Sequence, residues 1–405
     1  MKKIERSNGR PAWRWHVILF GAILAAVMSI YVIRLGTLVP ASRAEQGLLG
    51  QLASLGGATE NFVMVPYRLL AWSLVSLPGD DLTQLRLASA IMAAAASAIL
   101  YLVVRRWHGR PVALAAGVLF ATSTWTLSNG RNGLGLVMLS LAVLGLIGSS
   151  TALSRVRQAK EADRSLLVFA LAASLALMTP GGIWFLLVAV IISYKPLMAC
   201  IRSSGSAAIK AGSGSLIALG TAVFVLGCVQ GGRGLRTALG LMTSQSPEGI
   251  QVAKQLALSV SGFFFRGPDL PALWLPHTPL LDIASATMAV MGAVLYIKHI
   301  GNSRTRLLLA FFVTGMLLTA LNGGIGLSYM SPVIYLLVAS GIAYFYHQWH
   351  KVFPRNPVAT TVAVAALGTI GIAVIGFHLQ RYFVVWPNTP SVIEYRQPRT
   401  AERPI

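Results

Sequence analysis

The chain has few acidic residues and few charged residues of any kind. Only 12 of its 405 residues are Asp or Glu, and charged residues make up 11% of the composition, whereas 55% are hydrophobic. An ordinary soluble domain carries roughly 25% charged residues, so this composition excludes one. With a mean hydropathy of +0.68, the chain is expected to bury most of its surface in lipid and to keep ionisable groups only where water, a partner or chemistry requires them.

Cysteine and histidine are also scarce, and neither predicts a cross-link or a metal site. Cys200 and Cys228 fall near opposite ends of the apolar segment 215–231, too far apart for a disulfide. His347 and His350 can share one helical face but have no third ligand nearby in the sequence. There is no internal repeat and no Rossmann or P-loop glycine pattern.

Long apolar segments dominate what the chain does contain. Each approaches the roughly 20 residues that cross a bilayer. They lie at 16–38, 84–105, 112–127, 133–153, 166–179, 183–199, 215–231, 279–298, 306–322, 327–346 and 358–378. The predicted fold is therefore an all-α polytopic membrane protein of about 11 transmembrane helices, forming a single transmembrane domain over 1–405.

Basic residues set the predicted orientation. The tail 1–15 is basic and precedes the first span, which places the N-terminus in the cytoplasm under the positive-inside rule. Alternation from there puts the basic loops 105–110, 154–164 and 298–306 on the same side. We therefore expect a plasma (inner) membrane protein with a cytoplasmic N-terminus and an outer C-terminal tail, 379–405.

The high isoelectric point does not indicate a nucleic-acid partner. A pI near 10.8 is typical of many nucleic-acid-binding domains. Here, however, the basic residues form short clusters at span ends, where they hold loops against anionic lipid. The predicted partner is membrane lipid, with no nucleic acid.

Two outer loops are long, 39–83 and 232–278, and both contain predicted surface helices. In the first loop, segment 41–55 carries leucines at spacings of three and four, which predicts an amphipathic helix on the membrane surface. Segment 65–79 is apolar and contains Tyr67 and Trp72, which predicts an interfacial or half-inserted helix that Pro78 and Gly79 end. Asp80 and Asp81 then cap the next span. Segment 251–267 predicts a similar helix in the second loop.

The first half of the chain resembles a known family. The stretch 65–139 has a Pro-aromatic helix (VPYRLLAW), an Arg-Leu pair at the start of the second span (QLRLAS), an aromatic-Gly-Arg turn before the third (RWHGR) and an outer turn with Arg before the fourth (SNGRNG). ALMTPGGIWFLL (176–187) resembles a further outer turn. This pattern resembles the GT-C glycosyltransferases, typified by protein O-mannosyltransferases and the aminoarabinose transferases of lipid A.

The resemblance implies an activity and a donor. GT-C enzymes transfer a sugar from a polyprenyl-phosphate carrier, so it implies a lipid-linked sugar as partner and donor, with an acceptor on the outer face. It gives no certain cofactor and leaves a divalent metal requirement open. A transporter is disfavoured, because the charges lie at span ends and no inverted repeat is present.

A carboxylate in the first loop is the candidate catalytic base. The family usually begins this loop with Asp or an Asp-Glu pair, which takes the proton from the acceptor. Here the matching stretch SRAEQG (42–47) offers only Glu45. A structural alternative is a solvated charge on the polar face of the surface helix, paired with Arg43 or helping its first turn. Glu60 is the candidate second carboxylate.

Other outer residues are candidate substrate ligands. Arg131 and Arg381 lie beside spans on the outer side, and guanidinium groups bind phosphate bidentately; the alternative is that they snorkel to lipid headgroups. Arg43, Glu60 and Tyr67 complete the predicted substrate-binding set. The family's acidic residue in the turn after the third span is absent from 128–135. That departure leaves a second function open: a catalytically degenerate GT-C-like protein that binds lipid or an assembly partner.

Overall fold

A computed structural model describes residues 12–59, 62–241, 249–271, 273–322, 326–354 and 356–396 of the chain. Within these ranges the chain forms helices and turns and no β-strand, which confirms the predicted all-α fold. The predicted loop and tail segments at 1–11, 242–248 and 397–405 fall outside the described residues, and so does the candidate carboxylate Glu60.

Eighteen α-helices and one π-helical turn make up the described chain. The helices are α1 (Ala12–Val32), α2 (Arg43–Gln51), α3 (Leu55–Thr59), α4 (Val65–Val75), α5 (Asp81–His108), α6 (Arg110–Thr122), α7 (Thr124–Arg131), α8 (Val137–Leu153), α9 (Ala159–Leu177), α10 (Gly182–Ser203), α11 (Ala207–Val229), α12 (Gly231–Ala238), α13 (Gly249–Phe264), α14 (Ile283–Lys298), α15 (Ser303–Asn322), α16 (Leu327–Val352), α17 (Pro357–Gln380) and α18 (Pro390–Arg396). The π-turn, Arg381–Val385, continues α17.

Several of these helices are long and apolar enough to cross a membrane. Among the described residues, six qualify by length and composition, or up to seven if the bent pair α6 and α7 is one span. Shorter apolar helices lie at Gly21–Val32, Val137–Leu153 and Ile283–Lys298. The chain is therefore a multi-pass helical membrane protein, while the count of about 11 spans stays a prediction.

The predicted surface helices of the first loop are present as α2 and α4. Ser42 begins α2 with a capping box, in which its side chain accepts from the Glu45 amide while the Glu45 carboxylate accepts from the Ser42 amide. Asp80 is the N-cap of α5 and accepts from the Thr83 amide, which confirms the cap predicted there. We call the end of the bundle that carries α2–α4 the first-loop end, and the other the opposite end.

The predicted span 112–127 is wrong as a single helix. The chain bends by 58° between α6 and α7, because Ser123 adopts an extended ψ of 138° and its side chain caps α7 by accepting from the Thr126 amide. All eight residues of α7 are buried. Several of its polar groups find partners inside the bundle: the Asn129 amide nitrogen, for example, donates to the Ser328 hydroxyl at 3.0 Å.

Close helix packing in the second half rests on two glycines. A Cβ at Gly292 of α14 would collide with the Leu337 carbonyl of α16, and a Cβ at Gly341 of α16 would collide with the Met288 carbonyl of α14. The two helices thus touch through their backbones at reciprocal positions, a packing that small residues permit in membranes. This contact holds α16, whose apolar stretch is 83% buried, at the centre of the bundle.

Candidate functional site at the first-loop end

The carboxylate of Glu45 is buried and fully hydrogen-bonded. Its side chain is 1% exposed and forms an ion pair with Arg86 of α5. Oε1 accepts from Arg86 Nε and from the Gly133 amide, both at 2.8 Å. Oε2 accepts from Arg86 Nη2 at 3.0 Å and from the Ser42 amide at 2.8 Å. Glu45 is therefore neither a solvated charge nor paired with Arg43, but it does help the first turn of α2 through the capping box, as the structural alternative also proposed.

Arg86 extends the same network to the end of α1. Besides Glu45, its guanidinium donates to the carbonyl oxygens of Leu35, Val39 and Pro40 at 2.9, 3.0 and 3.2 Å. One ion pair thus joins the chain after α1, the start of α2, the first turns of α5 and the turn that follows α7. We call Glu45 and Arg86 the Glu45–Arg86 pair.

The pair keeps Glu45 ionised. Burial alone would raise the pKa of its carboxyl group, but the hydrogen bonds and positive charge of Arg86, with the amides of Ser42 and Gly133, outweigh it and lower the pKa from 4.5 to about 2. A carboxylate with so low a pKa holds a proton weakly at neutral pH. In this arrangement Glu45 fits the role of an anchor for the first loop better than that of a general base.

Tyr67 lies beside the Glu45–Arg86 pair. It is buried on α4, and its hydroxyl donates to the Gly133 carbonyl at 2.7 Å, so Gly133 contacts Tyr67 through its oxygen and Glu45 through its nitrogen. Gly135 has a positive φ of 69°, and a Cβ there would press on the Tyr67 ring. Arg43, by contrast, is exposed on α2. The structure thus brings Glu45 and Tyr67 together and leaves Arg43 at the surface.

The two candidate phosphate-binding arginines both bind backbone carbonyls. Arg131 is buried and donates to the carbonyls of Ile30, Tyr31 and Ile33 at 2.6 to 2.7 Å. It caps the C-terminal end of α1, where the last carbonyls of a helix lack partners. Its guanidinium carbon also lies 4.8 Å from the centre of the Phe383 ring.

Arg381 opens the π-turn and is held by the second loop. Its Nη1 donates to the Pro279 carbonyl at 2.9 Å. The guanidinium carbon is 4.7 Å from the Trp274 ring centre and 5.7 Å from that of Phe377. Both arginines are therefore buried, and neither snorkels into a headgroup layer.

A second buried polar cluster lies at the same end and was missed from the sequence. Asp282, the N-cap of α14, and His378 of α17 are hydrogen-bonded, with Oδ2 and Nε2 3.1 Å apart. The Nδ1 atom of His378 lies 2.8 Å from the Thr124 hydroxyl. Since a carboxylate only accepts, Nε2 donates to Asp282, and Nδ1 is left to face Thr124. These hydrogen bonds connect the bend before α7 to both α14 and α17.

The sequence contains signals for some of these buried polar residues. Arg86 belongs to the Arg-Leu pair of the family motif and stands near the start of a long apolar helix, where a charge requires a buried partner. His378 is likewise an ionisable residue at the end of an apolar segment. The identity of the partners, however, depends on which loops fold back onto which helices. Among the described residues no group of three or more His, Cys, Asp or Glu could hold a metal ion.

Comparison with known proteins gives the fold. No protein-family model and no curated protein sequence matches the chain. The structure is similar to ArnT from Cupriavidus metallidurans bound to undecaprenyl phosphate, with a TM-score of 0.58 and 12% identity over 95% of this chain and 77% of that one. It is also similar to the oligosaccharyltransferase AglB from Archaeoglobus fulgidus in complex with an inhibitory peptide and a dolichol-phosphate, with a TM-score of 0.55 and 12% identity over 96% of this chain and 61% of that one. The chain has the GT-C fold.

Acid is expected to weaken the folded state through the buried carboxylate of Glu45. Because its pKa in the folded protein, about 2, lies below its ordinary value of 4.5, the stabilisation is complete above about pH 4.5 and is lost as the pH falls towards about 2. The melting temperature in detergent micelles, followed against pH, measures this loss. A Glu45→Gln variant should show a flatter profile, and an unchanged slope would contradict the assignment.

Proposed function

We propose that this chain is a membrane glycosyltransferase that moves a sugar from a polyprenyl-phosphate donor to an acceptor at the first-loop end. The observation that carries the proposal is the GT-C fold across 95% of the chain, with a carboxylate kept in the first helix of the first loop. In this proposal the chain is one transmembrane domain of the plasma (inner) membrane. The N-terminus is cytoplasmic, and the first-loop end faces outward.

The solved structures of similar fold support the proposed donor class. One contains undecaprenyl phosphate and the other a dolichol-phosphate, and both are polyprenyl phosphates. A donor of this kind brings an anionic phosphate to the membrane surface, where guanidinium groups recognise it. Of the proposed ligands, Arg43 is the guanidinium exposed at the first-loop end, whereas Arg131 and Arg381 already bind carbonyl oxygens.

Transfer would need one proton acceptor and one leaving group. The acceptor oxygen attacks the anomeric carbon, the bond from that carbon to the phosphate oxygen breaks, and polyprenyl phosphate leaves with the electron pair. The proton of the acceptor passes to a base, for which Glu45 is our candidate. To act so, Glu45 must first release one of the four hydrogen bonds that its oxygens accept.

Those four bonds favour a second function, a catalytically degenerate GT-C-like protein that binds a polyprenyl lipid or an assembly partner. Both oxygens of Glu45 are occupied, and its pKa is lowered to about 2. The stretch 42–47, which matches the start of the family's first loop, contains no Asp, and Glu45 is its single carboxylate.

A pair of variants in membranes separates the two functions. Membranes with the intact chain, Glu45→Gln or Asp269→Asn would be supplied with radiolabelled polyprenyl-phosphate sugars, and transfer to endogenous acceptors would be measured. Asp269 is an exposed carboxylate of the second loop and serves as control. If Glu45 is the base, Glu45→Gln lowers transfer by roughly a hundredfold or more at unchanged protein level, while Asp269→Asn does not.

A second preparation tests the degenerate alternative. The purified chain in nanodiscs would be titrated with undecaprenyl phosphate, and its melting temperature followed. Saturable stabilisation without transfer from any polyprenyl donor supports the lipid-binding function and rejects the enzyme. Neither stabilisation nor transfer rejects both proposals.

A further inference from the structure

A cavity with several polar lining residues lies at the end of the bundle opposite the first loop. It has a volume of about 210 Å³, is partly open to the outside and is lined by the ends of α5 and α8, the middle of α10 and the start of α15. A water molecule occupies about 30 Å³, so the cavity has room for a tetrahedral anion together with bridging waters. The lining is unusual for this apolar chain, because it combines hydroxyl and guanidinium groups: Ser150, Ser154, Arg155, Ser193, Ser303 and Arg304.

Positive charge dominates this lining. Arg155 donates through Nη1 to the Arg106 carbonyl at 3.1 Å, which positions its guanidinium. Arg304 stacks on two aromatic rings: its guanidinium carbon lies 4.8 Å from the centre of the Trp107 ring and 5.4 Å from the centre of the Tyr296 ring. Neither arginine forms an ion pair within the described part of the chain. None of the described residues that line the cavity is acidic, so nothing in the lining neutralises the two guanidinium groups.

Two further groups in the lining are donors that call for an acceptor. The Ser150 side chain is 1% exposed, and its hydroxyl has no hydrogen-bond partner. A buried hydroxyl without a partner costs about as much as a lost hydrogen bond. In addition, the 20-residue helix α15 begins at Ser303, and the first amides of a helix lack partners and attract anions.

We propose that this cavity binds a phosphate group, with the guanidinium groups of Arg155 and Arg304 neutralising it and the hydroxyls, Ser150 included, donating to its oxygens. The cavity lies where the apolar helix α5 ends and α15 begins, so it sits at the depth of lipid headgroups. The phosphate of an anionic lipid reaches this position directly, and a free phosphate reaches it from water. The site is separate from the polyprenyl-phosphate site proposed at the first-loop end and does not depend on sugar transfer.

Lipid and phosphate titrations of the full chain test the site. The intact protein in detergent micelles would be titrated with phosphatidylglycerol, with phosphatidylcholine and with inorganic phosphate, and its melting temperature followed. Saturable stabilisation by phosphatidylglycerol but not phosphatidylcholine identifies the lipid headgroup as the source. Stabilisation by inorganic phosphate at millimolar concentration identifies the free anion. Stabilisation by none of the three overturns the proposal.

Variants locate the binding in the cavity. Replacing both arginines (Arg155→Gln, Arg304→Gln) is expected to weaken the apparent affinity at least about tenfold. Arg202→Gln removes one exposed positive charge from the end of α10 and should leave the affinity within about twofold. An equal loss in Arg202→Gln would mean diffuse attraction to charge and would overturn the proposal.

Two milder changes guard against a folding defect. Arg304→Lys keeps the charge and loses the planar fork, so we expect a partial loss of affinity in a protein of near-normal melting temperature. Ser150→Ala removes a hydroxyl that has no partner in the protein, so it should not lower the melting temperature without ligand. It should still weaken phosphate or lipid binding, and unchanged binding in both variants would overturn the proposal.

Discussion

Replacing Arg86 by methionine is expected to destabilise the folded protein by about 3–5 kcal/mol, the usual cost of leaving one partner of a buried ion pair uncompensated. The variant strands the Glu45 carboxylate, which is 1% exposed, and frees the carbonyls of Leu35, Val39 and Pro40 at the end of α1. Equilibrium unfolding in mixed micelles, followed by circular dichroism, measures the loss.

Control variants make this result specific to the pair. Arg105→Met changes an exposed arginine at the far end of the same helix and should have an effect below about 1 kcal/mol. Removing both partners (Glu45→Met, Arg86→Met) should restore much of the stability, because no unpaired charge stays buried. An Arg86→Met protein as stable as Arg105→Met would show that the pair does not anchor the loop.

Introducing leucine at Gly341 is the second change with a large expected effect. Any Cβ at this position would collide with the Met288 carbonyl of α14, and backbone cannot move aside as a side-chain end can. Overpacking usually costs about 1–3 kcal/mol and sometimes more. Because two central helices must separate, we expect a loss of about 3 kcal/mol or more, measured by the same unfolding transition.

Gly371 of α17 is the matched control. A Cβ there meets no atom within 4 Å, so Gly371→Leu should be neutral or slightly stabilising, since leucine favours a helix by roughly 0.8 kcal/mol over glycine. Gly292→Leu should resemble Gly341→Leu, because it meets the Leu337 carbonyl from the other side. Similar stability of the Gly341 and Gly371 variants would contradict the backbone contact between α14 and α16.

The sequence was sufficient for the class and much of the architecture. Apolar length located most of the long helices, and leucine spacing located α2. The same spacing also bears on Glu45, which stands three, four and seven residues before Leu48, Leu49 and Leu52 and therefore lies on their face of the helix. That position forecasts burial of the carboxylate, as the structure has it, rather than exposure on the polar face.

The remaining features depend on tertiary contacts that no local pattern encodes. Asp282 and His378 are 96 residues apart in the sequence, and they become partners only because the tertiary fold brings the start of α14 to the end of α17. The bend at Ser123 divides a segment that is apolar enough to read as one span. The bend arises because Ser123 caps α7 instead of continuing α6. Whether a serine within an apolar segment caps a new helix or continues the old one depends on its tertiary contacts.

The burial of α7 sets an order for the biogenesis of this protein. The ribosome delivers α7 long before α16 and α17, yet the Asn129 amide and the Thr124 hydroxyl meet their partners Ser328 and His378 only on those later helices. An unpaired polar group in hydrocarbon costs several kcal/mol. The nascent N-terminal half therefore enters the membrane with these polar groups unpaired, and α16 and α17 supply their hydrogen-bond partners when they are inserted. We therefore expect a chain that ends before His378 to leave the Thr124 hydroxyl without this partner.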